Sequence, residues 1–114
     1  YIINGDIMNT ILVLNKQDII YCNSFFKRLK GMLLSKYNSN KVYCFPKCNS
    51  IHTFFMTRNI DIVITDKDNN VIKIIQDLKP WKIIFPIKKG YFTYEFEAKF
   101  IHNIKNIKKI RVNL

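Results

Sequence analysis

Residues 60–75 read IDIVITDKDNNVIKII, and this stretch decides the class of fold. Residues 60–64 alternate in the two-residue period of a β-strand. Residues 66–70 are rich in Asp and Asn, which tolerate the left-handed backbone of a tight turn. Residues 71–75 are again aliphatic and β-branched, as a returning strand would be. The stretch therefore predicts a β-hairpin.

Several other segments show the short apolar or alternating pattern of strands bounded by turn residues. They cover residues 10–14, 19–22, 42–45, 91–97 and 109–114. Only a polar stretch at 15–18 separates the first two segments, which predicts a second hairpin. We expect seven or eight short strands in all, and this number favours a β-sandwich or a barrel-like fold.

One or two short helices are expected between the strands. Ser24 can accept a hydrogen bond from a free N–H group of a helix start, and apolar residues then recur at helical spacing. The pattern predicts an amphipathic helix over 24–30 that ends near Gly31. One or two helical turns are expected over 98–104. The chain is therefore predicted to be a single, mainly β domain over residues 1–114.

The size and the cysteine content bound the class of protein. The chain has 114 residues, of which 48% are hydrophobic, so it can bury a core without a metal or a disulfide. Three cysteines do not make a disulfide scaffold, and a reducing compartment such as the cytoplasm is favoured. A removed export signal stays compatible with a sequence that opens at Tyr1. No apolar run could span a membrane as a helix. We expect a monomer without a cofactor.

The charge is strongly basic, with 19 Lys and Arg against 8 Asp and Glu. Such an excess is typical of proteins that bind nucleic acid, anionic membranes or acidic partners. Here 16 of the cations are Lys and 3 are Arg, and the chain also holds 20 Ile and 13 Asn, a composition typical of an AT-rich genome. Arg, which reads phosphates and guanines in bidentate fashion, is scarce. We expect a solvated basic surface, with nucleic-acid association through residues 82–114 as a weaker alternative.

Two stretches carry a resemblance to a known family. Residues 48–56 read CNSIHTFFM, and residues 60–66 read IDIVITD. Residues 28–33, which contain Arg, Gly, Met and Leu, and residues 78–82, which contain Pro-Trp-Lys, match the same pattern. The chain resembles the uncharacterised family called domain of unknown function 192 over roughly residues 10–114. The resemblance implies a compact β-sandwich or barrel with short helices, and it implies no particular activity.

The chain also departs from the pattern of that family. Asn59 replaces the proline that usually precedes the Ile-Asp pair, and Lys99 replaces a glycine that usually follows the late strand. Around Asn106, the chain lacks the Gly-Asp turn expected before the last strand. The resemblance therefore implies no role that depends on these turns, whereas the segment around His52 keeps the pattern.

Cys44, Cys48 and His52 recur at intervals of four residues. Thiolate and imidazole are zinc ligands, and a helix would place all three on one face. Pro46 and the β pattern argue against a helix, and residues four apart in a strand lie about 13 Å from each other. We therefore expect no metal, although a metal held by His52 stays an alternative.

Polar residues concentrate in the family-like segment, but no catalytic set is complete. The preferred hypothesis is a non-enzymatic binding or accessory module with a shallow cleft. Its candidate residues are Cys48, His52, Thr53, Met56, Asp61 and Trp81. The alternative is an enzyme in which Cys48 is the nucleophile and His52 the base, with Asp61 as the nearest orienting acid. Phe54, Phe55, Met56 and Trp81 would form either core or the floor of an apolar cleft.

The acidic residues leave two further questions open. Asp61 is solvated if only one face of its strand is covered. If both faces are covered, it is a buried carboxylate that needs a partner. Candidate partners are Arg58, Lys82, His52 and Thr53. Glu95 and Glu97 lie two apart, hence on one face of a strand, and we expect that face to be solvated.

Overall fold

The computed structural model describes residues 2–3, 11–22, 41–54, 56–99, 101 and 103–114. The helix predicted over 24–30 and the aromatic Phe55 lie outside the described residues. The described part contains two short 3₁₀ helices, at Lys16–Asp18 and Ile104–Asn106. Its ten strands are β1 (Ile2–Ile3), β2 (Ile11–Asn15), β3 (Ile19–Tyr21), β4 (Val42–Pro46), β5 (Ile51–His52), β6 (Ile60–Thr65), β7 (Val71–Leu78), β8 (Ile83–Ile84), β9 (Phe92–Glu97) and β10 (Lys109–Asn113).

The strands form three sheets of different size. A five-stranded sheet has the order β3-β4-β9-β6-β7, a three-stranded sheet has the order β1-β2-β10, and β5 pairs with β8 alone. Strand β3 runs parallel to β4, and β10 runs parallel to β2, while the other pairs are antiparallel. The prediction of a mainly β fold is confirmed.

The hairpin predicted from residues 60–75 is confirmed as β6 and β7, which pair antiparallel. Asn69 adopts the left-handed conformation with φ of 63° in the turn. The Asp66 carboxylate accepts hydrogen bonds from the main-chain N–H groups of Asp68 and Asn70, each at 2.9 Å. Such contacts between a short polar side chain and the backbone explain why Asp and Asn mark this turn.

The second predicted hairpin, between residues 10–14 and 19–22, is wrong. Both segments are strands, but β2 pairs with β10 and β3 pairs with β4, in different sheets. The 3₁₀ helix at Lys16–Asp18 joins them, between residues that are themselves extended. Periodicity identifies a strand but does not identify its partner, and here the partners come from distant parts of the chain.

The helical turns predicted over 98–104 are shifted along the chain. The described residues of that range are turns and bends, and the 3₁₀ helix begins at Ile104. Asn103, just before it, is left-handed with φ of 56°. Ile104 is fully buried, so burial of this side chain fixes where the short helix lies.

Both faces of the five-stranded sheet are covered. Ile60, Ile62 and Ile64 point to one face and Val63 to the other, because successive side chains of a strand alternate. The Val63 face packs in the first core, which contains Leu12, Leu14, Ile19, Val42, Cys44, Val63, Tyr94, Phe96, Ile101, Ile104, Ile107 and Ile110. The other face packs in the second core, which contains Cys22, Tyr43, Phe45, Ile51, Met56, Ile60, Ile62, Ile64 and Leu78.

This double covering corrects the expectation for the two glutamates. Glu95 is fully buried on the central strand β9, so its face of the sheet is not solvated. Glu97, at the end of the same strand, is half-buried and forms an ion pair with Arg58 at 3.5 Å. The expectation failed because it assumed a sheet with one open face, and this sheet has none at its centre.

Candidate functional site

A cavity of about 380 Å³ opens beside the ribbon formed by β5 and β8. Its volume falls within the range of small-ligand pockets, roughly 300–1,000 Å³. Most of its wall is apolar, with polar groups from Cys48, Ser50 and His52. The lining residues are Phe45, Cys48, Ser50, Ile51, His52, Phe54, Ile83, Ile84, Phe85 and Pro86.

The alternation of side chains in the ribbon decides which residues reach solvent. Ile51 pairs with Ile84, and His52 pairs with Ile83. Ile51 and Ile84 pack on the second core. Because neighbouring residues of a strand point to opposite faces, His52 and Ile83 lie together on the outward face. The sequence thus places an imidazole beside an exposed aliphatic side chain.

Three aromatic rings continue this outward face. The ring centroid of His52 lies 4.8 Å from that of Phe54, and Phe54 stacks on Trp81 with centroids 5.6 Å apart. Trp81 is 60% exposed. We call His52, Phe54 and Trp81 the aromatic shelf. It adds exposed aromatic surface beside the cavity, whose wall includes His52 and Phe54.

Thr53 holds the loop that carries Trp81. Trp81 is left-handed with φ of 66°, a conformation that costs energy for a bulky residue. Its N–H group donates to the Thr53 carbonyl at 2.9 Å. The fully buried Thr53 hydroxyl donates to the carbonyl of Lys79 at 2.7 Å and accepts from the N–H of Lys82 at 2.9 Å. Thr53 therefore positions the loop of Trp81 and does not line the cavity.

Cys48 and His52 share the cavity wall but bond to other groups. The Cys48 thiol donates to the Ser50 carbonyl at 3.0 Å. The Nδ1 atom of His52 accepts from the Phe54 N–H at 3.4 Å. This bond leaves Nε2 as the ring nitrogen that can carry a proton toward the cavity in the neutral imidazole. Among the described residues, neither side chain forms a hydrogen bond with the other.

Cys44, the first residue of the series Cys44, Cys48 and His52, lies in the first core. Burial raises the pKa of its thiol to about 12. Cys48 and His52, by contrast, line the cavity on the opposite side of the sheet. Within the described residues, no three His, Cys, Asp or Glu side chains form a group that could hold a metal ion.

Asp61 is buried away from the cavity, with 2% of its surface exposed. Its carboxylate accepts the N–H of Asp77 at 2.7 Å and the N–H of Lys99 at 3.1 Å. Asp77 and Lys99 both have a left-handed backbone conformation, with φ of 55° and 66°. Asp61 alternates with Ile60 and Ile62, so it lies on the first-core face. It stabilises β7 at the irregular pairing with β6 and the turn at Lys99. Both of these donors are main-chain groups, not one of the candidate side chains.

The remaining predicted residue, Met56, is buried in the second core and does not line the cavity. The structure therefore brings Cys48 and His52 together in the cavity wall. Trp81 joins this group by stacking on Phe54, which contacts His52. Thr53 holds the loop that carries Trp81. It separates Asp61 and Met56 from this group. Sequence reasoning missed the contribution of residues 83–86. The available signal was an apolar run flanked by two prolines and by lysines, with no acid nearby.

These features define a small, mainly β protein with a candidate cleft beside β5 and β8. Its sequence is 32% identical to the UPF0127 protein of Pyrococcus horikoshii over 92 residues, which are 77% of this chain and 79% of that relative. The chain therefore belongs to the UPF0127 family of uncharacterised proteins. Its match covers only 51% to 65% of the length of three other UPF0127 relatives. No protein-family model matches the chain.

Two solved structures share the fold. One is a protein of unknown function from Novosphingobium aromaticivorans, with a TM-score of 0.60 and 12% identity over 71% of this chain and 63% of that chain. The other is a "putative transcription regulator" from Sinorhizobium meliloti, with a TM-score of 0.64 and 11% identity over 80% of this chain and 75% of that chain. At these identities the likeness concerns the fold alone. In the described residues, no helix has the length and apolar character needed to cross a membrane.

Proposed function

We propose that the protein is a non-enzymatic binding module, and that the cavity beside β5 and β8, together with the aromatic shelf, is its binding site. The main support is the way in which Trp81 is presented. A fully buried threonine holds a large aromatic residue in a left-handed conformation at the surface, stacked on Phe54. Core packing alone gives no reason for this arrangement, whereas an aromatic contact surface for a ligand does.

The composition of the cavity wall supports binding of an apolar group. Ligand sites are typically apolar surfaces with a few placed polar groups that orient the ligand. Here the aliphatic and aromatic wall surrounds His52, Ser50 and Cys48. His52 can offer a ring N–H group to a ligand acceptor, which would orient an apolar ligand that carries one polar atom.

We also propose that this family is the one called domain of unknown function 192, which the two sequence stretches around His52 and Asp61 resemble. The conformation of Lys99 supports the proposal. Lys99 stands where that family usually carries glycine, and it is left-handed with φ of 66°. Glycine is the residue that adopts this conformation without steric cost. Its N–H bond to Asp61 helps the lysine to adopt it here.

The binding proposal can be tested with a neutral apolar dye, N-phenyl-1-naphthylamine. Trp81 is the only tryptophan, so energy transfer from it locates the bound dye. We expect saturable binding with a stoichiometry near one. Phe85→Ser, in the cavity wall, should weaken it about tenfold by removing most of an aromatic contact. Ile72→Ser, at an exposed site on β7 outside the cavity lining, is the matched control. Lack of saturation, or equal weakening by both variants, would contradict the proposal.

The second candidate is thiol chemistry at Cys48. The observation in its favour is that Cys48 and His52 line the same cavity. A ligand that displaced the Ser50 carbonyl from the thiol would let His52 approach as a base. The test is alkylation of Cys48 in the folded protein. An inert Cys48 would end the enzymatic hypothesis and leave the binding module.

A further inference from the structure

We infer that the site binds an extended acidic segment of a partner protein, which pairs as a strand with the outer edge of β8 and places an apolar side chain in the cavity. The inference rests on the proposed function, because it names the class of ligand for the same cleft. Three independent features carry it, namely the open edge of β8, the exposed apolar side chains along that edge, and the charge of the segments that carry the site.

The hydrogen-bond pattern shows which side of β8 is open. The N–H group of Thr53 donates to the carbonyl of Lys82 at 2.9 Å. In an antiparallel pair, hydrogen-bonded and non-hydrogen-bonded positions alternate. The next residue, Ile83, therefore directs its main-chain N–H and C=O away from β5. Among the described residues, no strand pairs with β8 on that side.

Apolar side chains are exposed along the same edge. Ile83 is 50% exposed and Phe85 is 76% exposed, and Trp81, two residues before Ile83 in the sequence, is exposed as well. Ile83 and Phe85 are two residues apart, hence on one side of the extended chain at a spacing of about 7 Å. An added strand presents its alternate side chains at the same spacing, so it can cover this stripe while its main chain bonds to β8.

The segments that carry the site are positively charged. Residues 47–54 and 79–90, which supply nine of the ten lining residues, contain five lysines and no Asp or Glu. All five are exposed, and they are Lys47, Lys79, Lys82, Lys88 and Lys89. A cleft lined by charges of one sign attracts ligands of the opposite sign. The exposed Ile83 and Phe85 therefore belong to segments rich in lysine, which favours binding of an acidic segment.

The same charges argue against other occupants. A second copy of the chain carries a formal charge of +11, so its approach to these segments is unfavourable. Residues 23–40 of the same chain contain four Lys and Arg and no acidic residue. Their positive charge disfavours this segment as the occupant for the same reason. A polypeptide is favoured over nucleic acid because the open edge of β8 offers main-chain donors and acceptors that an extended peptide matches.

The experiment is selection of random heptapeptides displayed on phage against the full chain. We expect enriched peptides that combine at least two Asp or Glu residues with an aromatic or large aliphatic residue, in alternation. The best synthetic peptide should bind about tenfold more weakly when the main-chain amides that face β8 are N-methylated, because methylation removes the donors of an added strand. The double variant Lys79→Glu, Lys82→Glu should lose at least tenfold in affinity, and Ile72→Ser should lose nothing.

The outcomes separate the ligand class from the proposed function. Enrichment of peptides without acidic residues, no enrichment, or indifference to N-methylation would overturn the inference while dye binding at Trp81 still upheld the cleft. Displacement of the peptide by a single-stranded oligonucleotide, with an affinity that falls steeply with salt, would assign these lysines to nucleic acid instead. Failure of both dye and peptides would overturn the proposed function itself. All substituted residues are exposed, so we expect each variant to fold, and native Trp81 emission checks this.

Discussion

Asp61 accepts main-chain hydrogen bonds with both of its carboxylate oxygens and lies inside the protein, whereas His52 lies half-buried on the wall of an open cavity with one weak bond to Nδ1. Both residues belong to the same short family-like part of the sequence. They lie on opposite faces of the five-stranded sheet. A polar residue whose bonding capacity is used by the fold has little left for a ligand, and one that the fold leaves accessible can act as a site.

The reactivity of the cysteines should show the largest difference between the first core, which contains Cys44, and the open cavity, which Cys48 lines. Burial raises the pKa of Cys44 from 9.0 to about 12, which lowers its thiolate fraction about a thousandfold at pH 8. Cys48 lies in the cavity wall. We expect iodoacetamide to label Cys48 at least a thousandfold faster than Cys44 in the folded chain, as measured by peptide mass spectrometry.

Two controls keep the thiol experiment interpretable. All three cysteines should react at similar rates in denaturant, because unfolding removes the burial that separates them. Cys48→Ser should abolish the fast phase and leave Cys44 slow. Comparable rates for Cys44 and Cys48 in the native chain would contradict this picture. They would mean that the first core admits the reagent or that the cavity excludes it.

Removal of the Asp61 carboxylate should have the next largest effect. Asp61→Ala leaves the N–H groups of Asp77 and Lys99 without their acceptor in a buried site, and each loss costs about 1–3 kcal/mol. We expect the free energy of unfolding to fall by about 3 kcal/mol, as measured by urea denaturation. Asp68→Ala, in the exposed hairpin turn, should change it by less than about 0.5 kcal/mol. Equal effects of the two substitutions would contradict the structural role of Asp61.

Thr53 is intermediate between Asp61 and His52. Its side chain is buried like that of Asp61, but it positions the surface loop that carries Trp81. Thr53→Val removes the hydroxyl that bonds to Lys79 and Lys82, at a cost of about 2 kcal/mol. We also expect altered Trp81 emission and weaker dye binding, which a purely structural role elsewhere would not produce. Thr53→Ser keeps the hydroxyl and should restore both properties. Unchanged emission in Thr53→Val would show that the shelf does not depend on this hydroxyl.

Local chemistry predicted those parts of the fold whose partners are close in sequence. The hairpin of β6 and β7 was predictable because the alternation and the Asp-Asn turn both specify it. The partners of β2 and β3 were not, since they lie far along the chain in β10 and β4. The burial of Glu95 was missed for the same reason. It depends on what covers the sheet, which periodicity within one strand does not reveal.

The candidate site was predictable in part, for an equally physical reason. His52 and Cys48 were identified from residue type and position, and both line the cavity. Asp61 was identified by the same signal, but an acid in a family-like motif can equally accept hydrogen bonds from the main chain. Phe85 and Ile83 were missed because exposed apolar residues look the same as buried ones in a sequence. The folded chain shows that both face solvent, Ile83 on the outward face of β8 and Phe85 just after this strand.

Asp66 provides the mildest test, because it repeats the chemistry of Asp61 at the surface. Its pKa is lowered, chiefly by the hydrogen bond from the Asn70 main chain. A carboxyl with a lowered folded pKa contributes stability above its ordinary value of 3.8, and that contribution is lost as the pH falls through the lowered folded pKa. NMR titration of the carboxyl carbon should therefore show a midpoint below 3.8. Asn70→Ala removes the side-chain donor and should raise the midpoint, whereas Lys67→Ala should not. A midpoint at or above 3.8 in the unsubstituted chain would mean that the turn is not held by this carboxylate, and the parallel with Asp61 would fail.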